Sequence, residues 1–344
     1  MNMHDDYFAL MQKLAPDLAQ EIERRALVLE RIGALQPVGR RQLAARLNMP
    51  EREVRTVATL LKEHGLVSLD AAGMSLTPMA AEVLPMARLF SRDLHGLTKL
   101  EMKLAELLDV EKVCVVAGQA DQDEHVVSEV GRSAAARLRS FLQSGSTLAV
   151  TGGSTIREVA FSILHSAPMN VMVVPARGGI GRALETQANT IASEIAKRLG
   201  GHHRLMHLPD DLDGQALNEM RKLKEIDETL TLLERADVVL HGIGRADEMA
   251  HQRQLPAAVQ REVLQKGAVA EAYGCYFDQN GKLVYAASSV ARNLGALKPK
   301  CALLAVAAGA KKADAIIAVM RNRRHAMLVT DESAAKAILQ KLEG

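Results

Sequence analysis

The stretch Thr147-Leu-Ala-Val-Thr-Gly-Gly-Ser-Thr155 joins an apolar run to a turn with two adjacent glycines. Continuous apolar runs are typical of strands buried on both faces of a parallel sheet. In the turn, glycines let backbone N–H groups converge on an anion, hydroxyls add donors, and the following helix contributes its positive N-terminal end. The stretch predicts an anion site at the carboxyl edge of a parallel sheet, with an ordinary tight turn as the alternative. It is not a nucleotide-binding P-loop, because no Lys follows the glycines.

Further apolar runs in the rest of the chain share this plan. The runs lie at residues 113–116, 147–150, 171–174, 238–240, 302–306 and 327–329, and most precede a helical pattern. Strands that alternate with helices predict a mostly parallel sheet covered by helices. Other strand ends repeat the glycine-rich pattern in Pro175-Ala-Arg-Gly-Gly179, His241-Gly-Ile-Gly244 and Ala308-Gly-Ala-Lys-Lys312. Together these strand ends predict a site for an anionic ligand.

The N-terminal part of the chain has the pattern of a winged helix-turn-helix. Helical patterns at about residues 17–35, 41–47 and 51–64 are followed by two short alternating runs around Asp70-Ala-Ala-Gly73. Between positions 39 and 62, six basic residues stand against two acidic ones, which suits a compact DNA-binding module. The candidate DNA contacts are Arg40, Arg41, Arg52, Arg55, Thr56 and Thr59. An Arg side chain can hydrogen-bond guanine or bind phosphate, and a Thr side chain can contact the methyl group of thymine. A small helical dimerisation domain with solvated arginines is the alternative.

Length and composition predict two domains and exclude several classes of protein. The chain has 344 residues, 48% hydrophobic and 3% aromatic, which favours helices packed on parallel strands over a β-sandwich. We expect a DNA-binding domain at residues 1–92 and an effector and oligomerisation domain at 93–344, with the polar stretch 91–96 as the boundary. A net charge of +2 argues against a surface that tracks nucleic acid throughout.

Targeting and metal signals are missing from the sequence. The acidic N-terminus lacks the plan of a signal peptide, and no apolar run is long enough to span a bilayer, so we expect a cytoplasmic location without a membrane partner. The three cysteines, Cys114, Cys275 and Cys301, lie far apart in apolar contexts. They predict small buried side chains rather than a metal site.

These motifs together resemble the SorC-type family of sugar-responsive transcription regulators, and within it those that control glycolytic genes. The resemblance covers residues 10–342 and also rests on Pro37-Val-Gly-Arg-Arg41, Gln187-Ala-Asn-Thr190, Glu271-Ala-Tyr-Gly274 and Leu328-Val-Thr-Asp-Glu332. It implies a repressor that binds double-stranded operator DNA of a glycolytic operon and forms a dimer or tetramer. It further implies fructose 1,6-bisphosphate or a related sugar phosphate as effector, with no other cofactor.

The same resemblance implies roles for individual residues of the effector domain. Thr151, Gly152, Gly153 and Ser154 would meet one phosphate, with Arg177 and Gln187 nearby, and Arg253, Glu271 and Lys312 would hold the rest of the ligand. The Glu271 carboxylate suits sugar hydroxyls rather than a phosphate. A plain structural ion pair with a buried Arg is the alternative for Glu271.

The effector domain also resembles sugar-phosphate isomerases and amino-sugar-phosphate deaminases, so a fused enzyme is the alternative function. Such an enzyme would carry Asp-Gly-His after the Gly-Ile-Gly strand end for proton transfer. Here Gly242-Ile-Gly244 continues as Arg245-Ala-Asp-Glu-Met249, and no His stands at the required spacing. Because acid–base catalysis needs a positioned proton-transfer group, we expect a sensor and not an enzyme. The pair His202-His203 predicts a solvated strand start rather than a metal site.

Overall fold

The computed structural model describes residues 10–11, 13–47, 49–164, 168–177, 184–208, 214–286, 301–321 and 323–344. It divides into two compact units, Met1–Thr98 and Lys99–Gly344. The expected boundary after residue 92 lies inside a helix, Pro78–Leu94, so most of the polar stretch 91–96 is helical. No described helix is long and apolar enough to cross a membrane.

The first unit is a winged helix-turn-helix. Its elements are α1 (Pro16–Leu35), α2 (Arg40–Leu47), α3 (Glu51–Glu63), β1 (Val67–Leu69), β2 (Met74–Leu76) and α4 (Pro78–Leu94). The wing strands β1 and β2 pair antiparallel, and Val38, between α1 and α2, bridges to Met74 as a further edge. Buried apolar side chains of α1 and α3 form the core of this unit, together with Leu43 of α2.

Local sequence signals explain where these elements begin and end. Pro50 is the N-cap residue of α3, and Gly65, at φ +73°, follows its end as an αL residue that an L side chain disfavours. The wing turn is closed by Asp70, whose Oδ1 accepts the N–H groups of Ala72 and Gly73. Pro85 lies inside α4, which continues through it.

The second unit is an α/β domain with a seven-stranded parallel sheet. Its first half contains α5 (Leu97–Leu108), β3 (Lys112–Val116), α6 (Glu124–Phe141), β4 (Thr147–Val150), α7 (Ser154–Ser162), β5 (Met172–Pro175), α8 (Ala188–Leu199), β6 (His202–His203), α9 (Gly214–Met220) and α10 (Lys224–Glu234). Its second half contains β7 (Val238–Gly242), β8 (Gly244–Arg245), α11 (Ala246–Gln252), α12 (Ala257–Gln265), β9 (Ala268–Ala272), β10 (Cys275–Asp278), β11 (Leu283–Ala286), β12 (Ala302–Val306), α13 (Ala313–Met320), β13 (Ala326–Asp331) and α14 (Glu332–Glu343). A 3₁₀ turn at Leu184–Thr186 precedes α8, and another at Ala310–Lys312 precedes α13.

The parallel sheet has the strand order β3-β13-β12-β7-β4-β5-β6. Each of the six apolar runs forms one of its strands, and β6 adds the exposed pair His202-His203 at the edge. Helices α6, α7 and α8 pack on one face of the sheet, and α10 on the other. The three cysteines are buried, as predicted.

A second, antiparallel sheet was not predicted from the sequence. It has the order β11-β10-β9-β8 and begins directly after β7, because β8 follows that strand by one residue. In its register Glu271 of β9 lies opposite Gly244 on one side and opposite Tyr276 on the other. The small sheet thereby places Glu271 beside the carboxyl end of β7.

Candidate functional site

The ends of β4 and β7 are joined through Thr151. Its N–H donates to the carbonyl of Leu240 at 3.0 Å, and its Oγ1 accepts the N–H of Gly242 at 3.3 Å. The Thr151 side chain is buried, so these contacts hold the start of the glycine turn against β7. The two predicted strand ends therefore lie side by side.

Gly153 opens helix α7 as its N-cap residue, at φ +120° and ψ 157°. This backbone region is restricted almost entirely to glycine. No side-chain hydrogen bond caps the helix, so its first N–H groups are potential donors to an anion, and the hydroxyl of Ser154 is a further one. The N–H of Gly153 itself donates to the carbonyl of Thr186 at 2.8 Å.

The Gly152–Thr186 contact brings Gln187 to the loop. A Cβ on Gly152 would lie 2.5 Å from the carbonyl oxygen of Thr186, so the two segments approach as closely as glycine allows. Gln187 comes next in the chain and is the N-cap residue of α8. The predicted neighbours Gly152, Gly153 and Gln187 are therefore together in the structure.

Glu271 is a buried carboxylate that is paired with Arg253 and lies within the electrostatic influence of Arg177. Its Oε2 accepts from Nη2 of Arg253 at 2.8 Å, and its Oε1 accepts the N–H of Gly274 at 2.6 Å. Burial raises the pKa of Glu271, and the nearby Arg177 guanidinium acts against that shift. The structure thus unites three predicted residues, Arg177, Arg253 and Glu271. Gly178 and Gly179, which follow Arg177, lie outside the described residues.

Two buried polar atoms next to Glu271 have no hydrogen-bond partner among the described residues. They are Nε of Arg253 and the hydroxyl of Tyr276, whose side chain is fully buried. Unsatisfied buried groups are rare in folded proteins and call for a specific explanation. Tyr276 was not predicted as a site residue from the sequence. A two-residue turn at Tyr273-Gly274 is the signal that would have placed it opposite Glu271.

The last predicted strand end differs from expectation. In the Ala308-Gly-Ala-Lys-Lys312 turn, the N–H of Gly309 donates to Asp331 at 2.7 Å, and that of Ala310 to Asp121 at 2.8 Å. The expectation that these N–H groups are available to an anion is wrong, because carboxylates already occupy them. The two lysines of the turn, Lys311 and Lys312, remain as candidate cations.

Lys312 of this turn lies among acidic groups. Burial lowers the pKa of its ammonium, and Glu248, Asp121 and Asp331 act against that shift. Its predicted share in the ligand of the Thr151 loop stays a prediction.

His241, at the end of β7, is buried and neutral. Burial lowers its pKa to about 4, and its Nδ1 lies 3.2 Å from the carbonyl of Gly242. Its ring packs edge-on against Tyr273, with centroids 4.5 Å apart. The side chain is therefore a packed aromatic element at neutral pH. Metal-ligand clusters of His, Cys, Asp or Glu are not found in the described part of the chain.

The six predicted DNA-contact residues are all exposed in the first unit. Arg40, Arg41, Arg52, Arg55, Thr56 and Thr59 are all exposed, on helices α2 and α3. The hydroxyl of Thr56 donates to the carbonyl of Arg52 at 3.0 Å, and Nε of Arg41 lies 3.5 Å from Oε2 of Glu51. The apolar face of α3 is buried beneath them, so the helix presents its polar face outward. Their contacts with DNA stay a prediction.

Comparison with known proteins gives two adjoining matches along the chain. Residues 22–88 match the family described as "CggR N-terminal DNA binding domain", and residues 92–340 match "Putative sugar-binding domain". The chain is 37% identical to the central glycolytic genes regulator of Priestia megaterium and 36% identical to that of Bacillus subtilis, in each case over 96% of this chain and 97% of the relative.

Solved structures agree with these relatives. A SorC family transcriptional regulator from Enterococcus faecalis is 36% identical, with a TM-score of 0.63 over 70% of this chain and 99% of that one. The chain belongs to the SorC family of transcription regulators. Full-length SorC from Klebsiella pneumoniae, at 18% identity, matches the fold over 92% of this chain and 98% of that chain with a TM-score of 0.64. Since its relatives are regulators, this SorC-family chain is a regulator and not a sugar-phosphate enzyme.

Proposed function

We propose that this chain represses a glycolytic operon in the cytoplasm and that a phosphorylated sugar, fructose 1,6-bisphosphate, controls its affinity for operator DNA. The glycolytic part of the proposal is supported by the names of the relatives that are 36–37% identical along nearly the whole chain. A dimer or tetramer is the expected form, because paired half-sites on an operator match the two-fold symmetry of a regulator.

The observation that carries the proposal is the buried Glu271 with its two unsatisfied neighbours. A carboxylate accepts sugar hydroxyls, and the Nε–H of Arg253 and the Tyr276 hydroxyl add donors next to it. A phosphorylated sugar supplies oxygens for these donors and hydroxyls for the acceptor. An ordinary structural ion pair would explain the Arg253–Glu271 contact. It would not explain why the Nε–H of Arg253 and the hydroxyl of Tyr276 are buried without an acceptor among the described residues.

The phosphate of the ligand would bind at the start of α7. The first-turn N–H groups and the hydroxyl of Ser154 provide donors there, and the helix dipole favours negative charge. Arg177 would add charge from the end of β5, and Gln187 an amide from the start of α8. Lys312 is the cation proposed for a second phosphate, which distinguishes fructose 1,6-bisphosphate from a monophosphate.

The test measures DNA binding with and without effector. Operator DNA is selected from a random-sequence pool by the full chain, and footprints are recorded with fructose 1,6-bisphosphate, fructose 6-phosphate or inorganic phosphate. We expect fructose 1,6-bisphosphate to change the footprint at the lowest concentration. The variant Glu271→Gln should keep the footprint and lose the response, with Glu262→Gln on the exposed surface of α12 as matched control. The proposal fails if no sugar phosphate alters DNA binding by the parent chain.

A further inference from the structure

The hairpin between β9 and β10 turns on an unusual pair of residues. Ala272 pairs with Cys275, which leaves Tyr273 and Gly274 as a two-residue loop. Both have positive φ, +49° at Tyr273 and +84° at Gly274, as a type I′ turn requires. Asn, Asp or Gly normally holds the first of these positions, because a bulky side chain is disfavoured there. A tyrosine at this position therefore costs conformational free energy.

The ring of Tyr273 has specific contacts that compensate for this cost. It packs edge-on against His241, with ring centroids 4.5 Å apart and planes at 63°, and against Phe277 at 6.5 Å. His241 lies at the end of β7, and the next residue, Gly242, donates its N–H to Thr151 Oγ1. The ring thus connects the hairpin to the end of β7, which in turn is hydrogen-bonded to the start of the glycine loop after β4.

The same turn also fixes Glu271. The N–H of Gly274, the second turn residue, donates to Glu271 Oε1 at 2.6 Å, while Arg253 holds Oε2. A rotation of the turn would move this N–H and redirect the carboxylate. Strained residues persist where their surroundings over-determine them, and they concentrate at ligand-binding clamps.

The geometry points to Tyr273 as a positioning residue of the effector site, whose ring holds the turn against the end of β7. The turn then aims Glu271 at the hydroxyls of a sugar bound by phosphate at the Thr151–Ser154 loop. This inference rests on the proposed function. It assigns Tyr273 no direct contact with the ligand. Its role is to keep the hydroxyl acceptor at a set distance from the phosphate loop.

Two substitutions separate the ring from the turn. Tyr273→Asn keeps a residue that type I′ turns favour and removes the ring, whereas Tyr273→Phe keeps the ring and removes the hydroxyl. Calorimetric titration of the full chain uses two probes, fructose 6-phosphate and inorganic phosphate. The monophosphate engages both Glu271 and the loop, and inorganic phosphate engages the loop alone.

We expect Tyr273→Asn to weaken fructose 6-phosphate binding about tenfold, as the loss of one charge-assisted hydrogen bond does. Its affinity for inorganic phosphate and its thermal unfolding midpoint should match the parent. Tyr273→Phe should restore the affinity for fructose 6-phosphate. Since an Asn suits the turn, an unfolded Tyr273→Asn protein would overturn the inference, as would an equal loss for both probes.

The outcome for the parent chain keeps the two proposals apart. If the parent binds fructose 6-phosphate and Tyr273→Asn binds it equally well, the positioning role of Tyr273 is refuted and the proposed function stands. If the parent binds no fructose phosphate, the proposed function is refuted and this inference with it.

Discussion

Arg253→Met removes the guanidinium that pairs with Glu271 and keeps the aliphatic stem. The side chain of Arg253 is 19% exposed and that of Glu271 is 4% exposed, so the pair is shielded from water. Removing one partner of a buried ion pair costs about 3–5 kcal/mol, because the remaining charge is left uncompensated. Arg177 and the N–H of Gly274 still interact with Glu271 in this variant. We therefore expect the lower end, about 3 kcal/mol.

The loss of stability should depend on pH. Burial already raises the pKa of Glu271, and removing Arg253 should raise it further. A carboxyl group whose pKa is raised by folding stabilises the protein fully below its unfolded pKa and loses that contribution as pH rises through the folded pKa. Arg253→Met should therefore be closer to the parent at pH 5 than at pH 8.

Thermal unfolding of the full chain and a double-mutant cycle measure this effect. For a domain of this size, about 3 kcal/mol corresponds to a midpoint lower by roughly 6–12 °C. Glu271→Gln alone should also destabilise, because its amide offers a donor to the donor groups of Arg253 or Gly274. The double variant should recover about 2 kcal/mol relative to the sum of the single variants.

Additivity of the two substitutions would refute the reasoning. If the double variant equals the sum within about 0.5 kcal/mol, the two side chains are not coupled. An equal midpoint for Arg253→Met and the parent at pH 8 would show that the ion pair is solvated and the site open. In either case Glu271 would no longer serve as a preorganised acceptor for sugar hydroxyls.

Four further predictions concern DNA, effector and pH. If Arg52 and Arg55 read bases, Arg52→Ala or Arg55→Ala should weaken operator binding by about 1–3 kcal/mol in gel-shift titrations. If they contact phosphate, each variant should weaken binding to all DNA sequences alike and lower the slope of log affinity against log salt concentration by about one. Operator binding equal to that of the parent in both variants would refute the assignment. Gly153→Val, at a backbone conformation reserved for glycine, should abolish the effector response in footprints and leave the footprint itself intact. Lys312→Ala should weaken fructose 1,6-bisphosphate about tenfold in calorimetry and fructose 6-phosphate less, and an equal loss would separate Lys312 from a second phosphate. Burial lowers the pKa of His241 from 6.5 to about 4, so the unfolded chain takes up the proton first as pH falls. The free energy of unfolding should therefore decrease by about 3 kcal/mol between pH 6.5 and pH 4. In denaturant titrations, His241→Gln should flatten this pH dependence.

The winged helix-turn-helix and the parallel sheet could be predicted from the sequence because their signals are local. The apolar face of α3 and the Asp70-Ala-Ala-Gly73 turn each specify one element with its own side chains. Buried parallel strands are likewise continuous apolar runs, and all six were identified, with β5 shifted by one residue. The expected DNA-binding residues follow from the same periodicity, since the polar face of an amphipathic helix is known once its apolar face is known.

The remaining features depend on contacts between distant residues. The antiparallel sheet was missed because its strands are short and its first hairpin uses Tyr273 where Asn or Gly is usual. The occupied N–H groups of the Gly309 turn were missed because their acceptors, Asp331 and Asp121, lie far away in sequence. A glycine-rich strand end thus indicates donors, while tertiary contacts decide whether those donors are available.

The arrangement of titratable groups fits a sensor that retains its ligand unchanged. A general acid or base has to gain and lose a proton within reach of the substrate, near the working pH. Glu271 is fixed by Arg253 and Gly274, and moving a proton onto it would remove the charge that pairs with Arg253. His241, with a pKa of about 4, stays neutral and packed against Tyr273. The same contacts that remove proton transfer make the site rigid, and a rigid site can convert ligand binding into a bias between two conformations of a regulator.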